Sequence, residues 1–308
     1  MKNLVLILGS NGYLGNALVK KFIIEKNFVV GLGRSLKPRQ INQPFINDSN
    51  FKYFSLEGNS LFYLESKLKS FCNKIDQNLI FINSAWSGDK TLSDGDFYDQ
   101  LKNIFLSSDA ISIASEIGCK KFINIGSIFE DYIDKFITEN WYKSKFNFEN
   151  QLDYSLAKNI CRDFNKLVSY LQKIDYIHCS FSVFIDSELS SKGYIPTTLK
   201  QIAQGQNYKK PNNKELFDIT CLNEGCEAIY LVSQKGKINK RYYIGTSSPR
   251  TLNDIFKTFK AAKLNKSISE DKFEKSIFND LFETSSLVED IGYKPTKTFN
   301  DFALEFFQ

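Results

Sequence analysis

The chain has 308 residues, 42% hydrophobic and 24% charged, an ordinary globular composition that argues against a disordered or fibrous protein. A net charge of +5 is mild and the lysines are spread along the chain, so the surplus reads as solvated surface and not as a nucleic-acid face. The six cysteines form no C-x-x-C pair and His178 is the single histidine, which argues against a disulfide framework and a zinc site; no metal is expected.

The opening apolar run, 4–8, is too short for a signal peptide or a membrane span; it predicts a strand, no membrane association and a cytoplasmic protein. Gly9, Gly12 and Gly15 follow at a spacing of three, and a helical pattern covers 13–26. Strand, glycine turn and helix in this order make a dinucleotide pyrophosphate site. Gly9 permits the turn, Gly12 lets the backbone approach the phosphates, and Gly15 lets the helix pack on the sheet. The phosphates then meet free N–H groups at the helix N-terminus, with Asn11, Tyr13 and Leu14 beside them.

Further strand-length apolar runs lie at 28–32, 51–56, 79–82, 122–125 and 177–184, with helical patterns at 61–72, 97–117 and 154–172. This alternation predicts an α/β protein with a doubly wound parallel Rossmann sheet. After Phe184 the pattern loosens into short segments at 195–203, 216–220, 241–244 and 252–263. Residues 1–184 are therefore read as an NAD(P)-binding domain, to which a strand and helix around 216–244 return. Residues 185–308 are read as a smaller, interleaved, substrate-binding lobe.

The spacing G-x-x-G-x-x-G resembles that of the short-chain dehydrogenases/reductases, and the length resembles their extended branch, whose members mostly act on nucleotide-linked sugars. Three tail motifs carry the resemblance along the chain: Phe217-Asp218-Ile219 before a helix, Tyr243-Ile244-Gly245, and Ile291-Gly292-Tyr293-Lys294-Pro295. The family uses a Tyr with a Lys four residues later, since i and i+4 share a helix face. Tyr63/Lys67, Tyr98/Lys102, Tyr154/Lys158 and Tyr293/Lys297 all fit, but only Tyr154 opens a helix after the fifth strand. Ser127, just past that strand, supplies the family's third member, with a helix cap as its bland alternative. By resemblance, Lys158 holds the nicotinamide ribose and lowers the tyrosine pKa, Tyr154 exchanges a proton with the sugar oxygen, and Ser127 hydrogen-bonds that oxygen.

Other positions refine the expectation. Arg34 stands after the second strand where NAD-preferring relatives carry an acid, which favours NADP over NAD. Asn83-Ser84-Ala85 resembles the family's turn lining the cofactor, and Asn103 matches its cofactor-side asparagine. Sugar 4,6-dehydratases carry Asp-Glu directly after the Ser/Thr; Ile128 and Phe129 stand there instead. Gly126-Ser127-Ile128-Phe129-Glu130 and Ala85-Trp86-Ser87-Gly88 resemble surface-polysaccharide enzymes, mainly 4-keto-6-deoxysugar reductases and epimerases. Trp86 can stack on sugar or base, with core packing as its alternative. Ser182 falls where many members contact the substrate diphosphate through an asparagine, and Cys179 replaces their arginine. Lys192, Lys200 and Lys209 read as solvated unless phosphate-bound, and His178 reads as packing. The resemblance implies a nucleotide-sugar partner and admits a homodimer. Three readings stand: an NADP-dependent 4-ketoreductase serving bacterial surface polysaccharide, an NAD-dependent 4-epimerase, and a non-enzymatic Rossmann sensor or scaffold.

Overall fold

The computed structural model describes residues 3–39, 48–58, 60–73, 78–88, 96–138, 151–211, 215–266 and 279–308. Its centre is a seven-stranded, wholly parallel sheet of β1 (Asn3–Leu8), β2 (Phe28–Gly33), β3 (Phe51–Ser55), β4 (Asn78–Asn83), β5 (Lys121–Ile125), β6 (Asp175–Phe181) and β10 (Arg241–Ile244). The strand order is β10-β6-β5-β4-β1-β2-β3, so the chain starts near the middle and winds outward both ways, as expected from the alternation. Both faces are covered, and successive side chains of β1 serve opposite ones. Val5 and Ile7 pack with α1 (Tyr13–Ile24) and α7 (Leu222–Lys235), while Leu4, Leu6 and Leu8 pack with α2 (Glu65–Cys72) and α3 (Phe97–Glu116).

Two predicted segments are subdivided. The helix expected from Leu61 opens with a 3₁₀ turn, Leu61–Leu64, before α2. The run at 177–184 splits at Ser182 into β6 and β7 (Val183–Ile185), because the chain changes sheets there. The Ser182 hydroxyl accepts the Asp218 N–H at 3.2 Å and the Val183 N–H donates to the Asp218 carbonyl at 3.2 Å. Strand β7 then pairs in parallel with β9 (Ile219–Cys221), and β8 (Leu216–Phe217) pairs antiparallel with β11 (Arg250–Thr251).

Beyond Ser182 a separate apolar cluster gathers α6 (Tyr194–Ala203), α8 (Leu252–Lys263) and α10 (Phe299–Phe306). Phe256, Phe259, Phe299 and Phe302 form its centre. Side-chain caps fix the ends: Thr251 accepts from the Asp254 N–H, and Thr298 and Asp301 make a reciprocal capping box. Three helices that the apolar periodicity did not predict complete the set, α4 (Phe129–Thr138), α9 (Ser285–Ile291) and α10, while α5 (Leu152–Leu171) begins near the predicted 154. Among the described residues no helix is long and apolar enough to cross a membrane, and no group of three His, Cys, Asp or Glu could hold a metal ion. The six cysteines are free thiols.

Candidate active site

A cleft of about 750 Å³ opens at the carboxyl ends of the strands, between the sheet and the C-terminal cluster. Its floor at one end is the turn from β1 into α1. Gly9 has φ +84°, and a Cβ there would lie 2.8 Å from the Ala85 nitrogen; a Cβ at Gly15 would lie 2.2 Å from the Gly9 carbonyl oxygen. Helix α1 has Gly12 as its N-cap, with no side-chain cap and no acid in its first turn. Its first N–H groups are thereby left for an anion, so the residues present fit a dinucleotide pyrophosphate.

Every predicted site residue but one borders this cleft. Gly9, Asn11, Gly12, Tyr13, Leu14 and Gly15 line the turn, and Arg34 lines the rim just after Gly33. Asn11 is pinned from both ends, donating to the Tyr53 hydroxyl and accepting from the Arg39 N–H, each at 3.0 Å. Ala85, Trp86, Asn103 and Ser182 also line the cleft. Asn103 holds the loop after β4, donating to the Ser87 carbonyl at 2.7 Å and accepting the Ser87 N–H at 2.9 Å. Asn83 is absent from the lining. Its amide is spent below the cleft, donating to the Ser107 hydroxyl at 2.8 Å and to Asn124 Oδ1 at 3.0 Å.

Ser127 follows β5, while Tyr154 and Lys158 project from adjacent turns of α5; all three reach the cleft. The other Tyr/Lys pairs do not form such a set. Lys67 folds onto the Tyr63 ring at 4.5 Å, Tyr98 is 77% exposed, and the Tyr293 hydroxyl donates to the Glu224 carbonyl. Lys158 donates to the Ile125 carbonyl at 3.1 Å and lies 3.7 Å from the centre of the Trp86 ring, an ammonium held against an indole face. Trp86 is fixed in turn by its Nε1–H donating to Gln100 at 2.8 Å. The Tyr154 ring meets Trp86 and Phe129 edge-on, at centroid distances of 5.9 and 6.2 Å.

Burial controls the charges here. It pushes the Tyr154 phenol up to about 12, with the Glu130 charge adding to the rise and a hydrogen bond from Ser127 opposing it. Burial lowers Lys158 to about 8, and the nearby Glu130 carboxylate resists that fall. The lining carries Arg34, Lys102, Lys158 and Lys192 against Glu215 as its one described carboxylate, so the cleft is suited to anionic ligands. Lys200 and Lys209 are not among the lining residues.

Two groups of residues eluded the site reading. Phe129 and Phe217 wall the cleft beside Tyr154, and only their position after Ser127 and within the Phe217-Asp218-Ile219 motif hinted at it. Glu130 and His178 form a buried pair beneath the site, with Glu130 Oε2 and His178 Nε2 2.6 Å apart. A lone histidine in a strand-like run carries no signal for that pairing.

The sheet order and the glycine turn define a Rossmann-type α/β fold, with Ser127, Tyr154 and Lys158 gathered at its cleft. No protein-family profile matches the chain, and no curated protein matches it. Among solved structures it is similar to UDP-N-acetylglucosamine 4-epimerase from Bacillus cereus, with a TM-score of 0.71 at 14% identity over 99% of this chain and 96% of that one. It is also similar to dTDP-glucose 4,6-dehydratase from Bacillus anthracis in complex with NAD, with a TM-score of 0.72 at 14% identity, covering 99% and 96% of the two chains. UDP-glucuronic acid 4-epimerase from Bacillus cereus, solved as a variant with NAD and a fluorinated substrate analogue, gives 0.72 at 16% identity, covering 99% and 98%. At these identities the likeness is one of fold.

Proposed function

We propose that the protein is an enzyme of the extended short-chain dehydrogenase/reductase family that reduces the C4 keto group of a nucleotide-linked 4-keto-6-deoxysugar with NADPH, in the supply of a bacterial surface polysaccharide. The observation that carries this reading is the convergence of Ser127, Tyr154 and Lys158 at one cleft with the capless N-terminus of α1. Bound nicotinamide supplies the hydride. Lys158 reaches the ribose hydroxyls, Tyr154 passes its phenolic proton to O4 as the carbonyl becomes an alcohol, and Ser127 donates a hydrogen bond to the same oxygen. Phe129, where dehydratases carry a carboxylate, presents an aromatic edge beside Tyr154; that suits a 6-methyl group and provides no acid or base for water loss. Arg34 at the rim, with no carboxylate beside it among the described lining residues, suits the 2′-phosphate of NADP.

The runner-up is an NAD-retaining 4-epimerase, favoured by the likeness in fold to two 4-epimerases. The sensor or scaffold reading falls third, because the triad is complete. Incubation with a panel of 4-keto-6-deoxy nucleotide sugars and deuterated NADPH separates the three. Deuterium at sugar C4 with stoichiometric NADPH oxidation is expected. Isomerisation without oxidation selects the epimerase, and dinucleotide binding without turnover selects the sensor.

The same reading extends to a homodimer. Ile160, Phe164, Leu167 and Leu171 recur at helical spacing on α5 and are exposed, with exposed Phe105 on the neighbouring α3. Leu167→Glu is expected to convert a dimer into a monomer in analytical ultracentrifugation; a wild-type monomer refutes the assignment.

A further inference from the structure

Asn83, Asn124, His178 and Arg241 stand in register on β4, β5, β6 and β10, a polar row crossing four neighbouring strands of the sheet. Asn124 Nδ2 lies 3.4 Å and the Tyr176 hydroxyl 3.0 Å from His178 Nδ1. An amide nitrogen can only donate, so Nδ1 accepts and Nε2 carries the hydrogen directed at Glu130 Oε2. Glu130 is fully buried on the first turn of α4, and its other oxygen accepts the Ser127 N–H at 2.7 Å. The Glu130 N–H donates back to the Ser127 carbonyl at 3.2 Å. Nothing larger than glycine fits between this pair and the cleft, since a Cβ at Gly126 would lie 2.4 Å from Glu130 Oε1 and 2.2 Å from His178 Nε2.

We propose that Glu130, oriented by His178, is a positioning residue that clamps the Ser127 backbone, two residues from the Ile125 carbonyl that holds Lys158, and places a buried negative charge beneath the site. The inference rests on the Ser127/Tyr154/Lys158 reading above and adds the group beneath it. A buried carboxylate needs compensation. Helix α5 provides it through the charges of Lys158 and Arg162, and also carries Tyr154 and Cys161, whose protons the carboxylate helps to retain. Strand β6 presents His178 and Tyr176, and β10 presents Arg241, which itself pairs with Asp131. Burial drives Glu130 up, but His178, Lys158 and Arg241 outweigh it and hold the carboxyl below its ordinary range, so it is ionised at neutral pH. Its negative charge then keeps protons on both Lys158 and Tyr154.

The test is Glu130→Gln in the full chain, read by pH-dependent acetylation of Lys158 followed by mass spectrometry, alongside the pH profile of turnover. Removing the charge while keeping the shape is expected to move the Lys158 midpoint down by about one pH unit or more, and the turnover profile in the same direction. His178→Asn perturbs the same packing but leaves the carboxylate, and is expected to lower turnover with a far smaller shift. Should Glu130→Gln fail to fold, Glu130→Asp keeps the charge but shortens its reach, and is expected to hold the midpoint while weakening turnover. An unmoved midpoint in Glu130→Gln, or equal shifts in Glu130→Gln and His178→Asn, overturns the proposal. Glu130→Asp shifting the midpoint as far as a charge removal would overturns it also. The acetylation readout needs no sugar substrate. A wild type that turns over no nucleotide sugar therefore defeats the functional reading without touching this one.

Discussion

Where the cleft meets β1 and β2 its wall is largely backbone: the Gly9, Gly12 and Gly15 turn and the bare N-terminus of α1, all within a few consecutive residues. At the other end the wall is side chain, with Trp86 after β4, Phe129 on α4, Lys192 before α6 and Phe217 on β8, each delivered by a different element. On the proposed reading, the first construction serves what every dinucleotide shares, a pyrophosphate on N–H groups. The second can be altered one side chain at a time, and so, on the same reading, would carry the choice of sugar. Tyr154 and Lys158 stand at the junction, where Tyr154 meets Trp86 and Phe129 and Lys158 lies over the Trp86 ring.

The largest test falls at that junction. Tyr154→Phe is expected to lower turnover about 10²- to 10⁴-fold, the usual value of a placed proton donor. NADPH affinity and melting temperature should barely change, since the ring still packs edge-on against Trp86 and Phe129. Turnover within a few-fold of wild type would remove Tyr154 as the proton donor.

The next test asks whether the two ends are one cooperative unit. Phe259 is fully buried in the C-terminal cluster, ringed by Phe299, Phe302, Phe306 and Phe307. Phe259→Ala is expected to cost about 3 to 5 kcal/mol in chemical denaturation. Hydrogen exchange should show protection lost first in α6, α8 and α10 while β1, β4 and β5 keep theirs. Uniform loss across both regions would show that the cleft's two walls fold as one.

The same contrast explains what the sequence made legible. The glycine-turn end rests on consecutive residues and on the short, mostly apolar runs of a largely buried parallel sheet, so β1 to β6 and the glycine turn were readable locally. Ser182 was not: the run at 177–184 continues through it, and only the Asp218 hydrogen bonds from a distant loop turn the chain into a second sheet. Asn83 was read as a cofactor contact because of its place after β4. Register with Asn124 draws its amide below the cleft instead. The Glu130–His178 pair joins residues on two elements whose proximity depends on strand order, which local spacing does not encode.

At the outer edge of the dinucleotide end, Arg34→Ala is expected to weaken NADPH about ten- to a hundredfold while changing NADH little. That is the worth of one charged hydrogen bond to a 2′-phosphate. Calorimetric titration reads it. Equal wild-type affinities for the two cofactors would refute NADP preference, and tightly co-purified NAD would move the reading to the epimerase.

The smallest expected effect concerns the cost of the site to the fold. Lys158 is lowered to about 8 by burial, against about 10.4 for an unfolded lysine, so between those values the unfolded chain binds more protons. Stability from this group therefore rises with pH across that window, and the penalty is complete below it. Lys158→Met, similar in length but uncharged, forgoes the hydrogen bond to Ile125 and the contact with Trp86, yet also forgoes the buried charge. The variant is expected to be inactive but more stable than wild type at pH 7, by about 1 to 2 kcal/mol once the lost contacts are offset. The difference should shrink as pH is raised from 8 to 10.5, where wild-type Lys158 sheds its proton without unfolding. Paired denaturation curves at several pH values decide the matter. A variant less stable by the same amount throughout would mean that Glu130, Ile125 and Trp86 together compensate the ammonium fully, and that the junction of the two walls is held by Lys158 instead of strained by it.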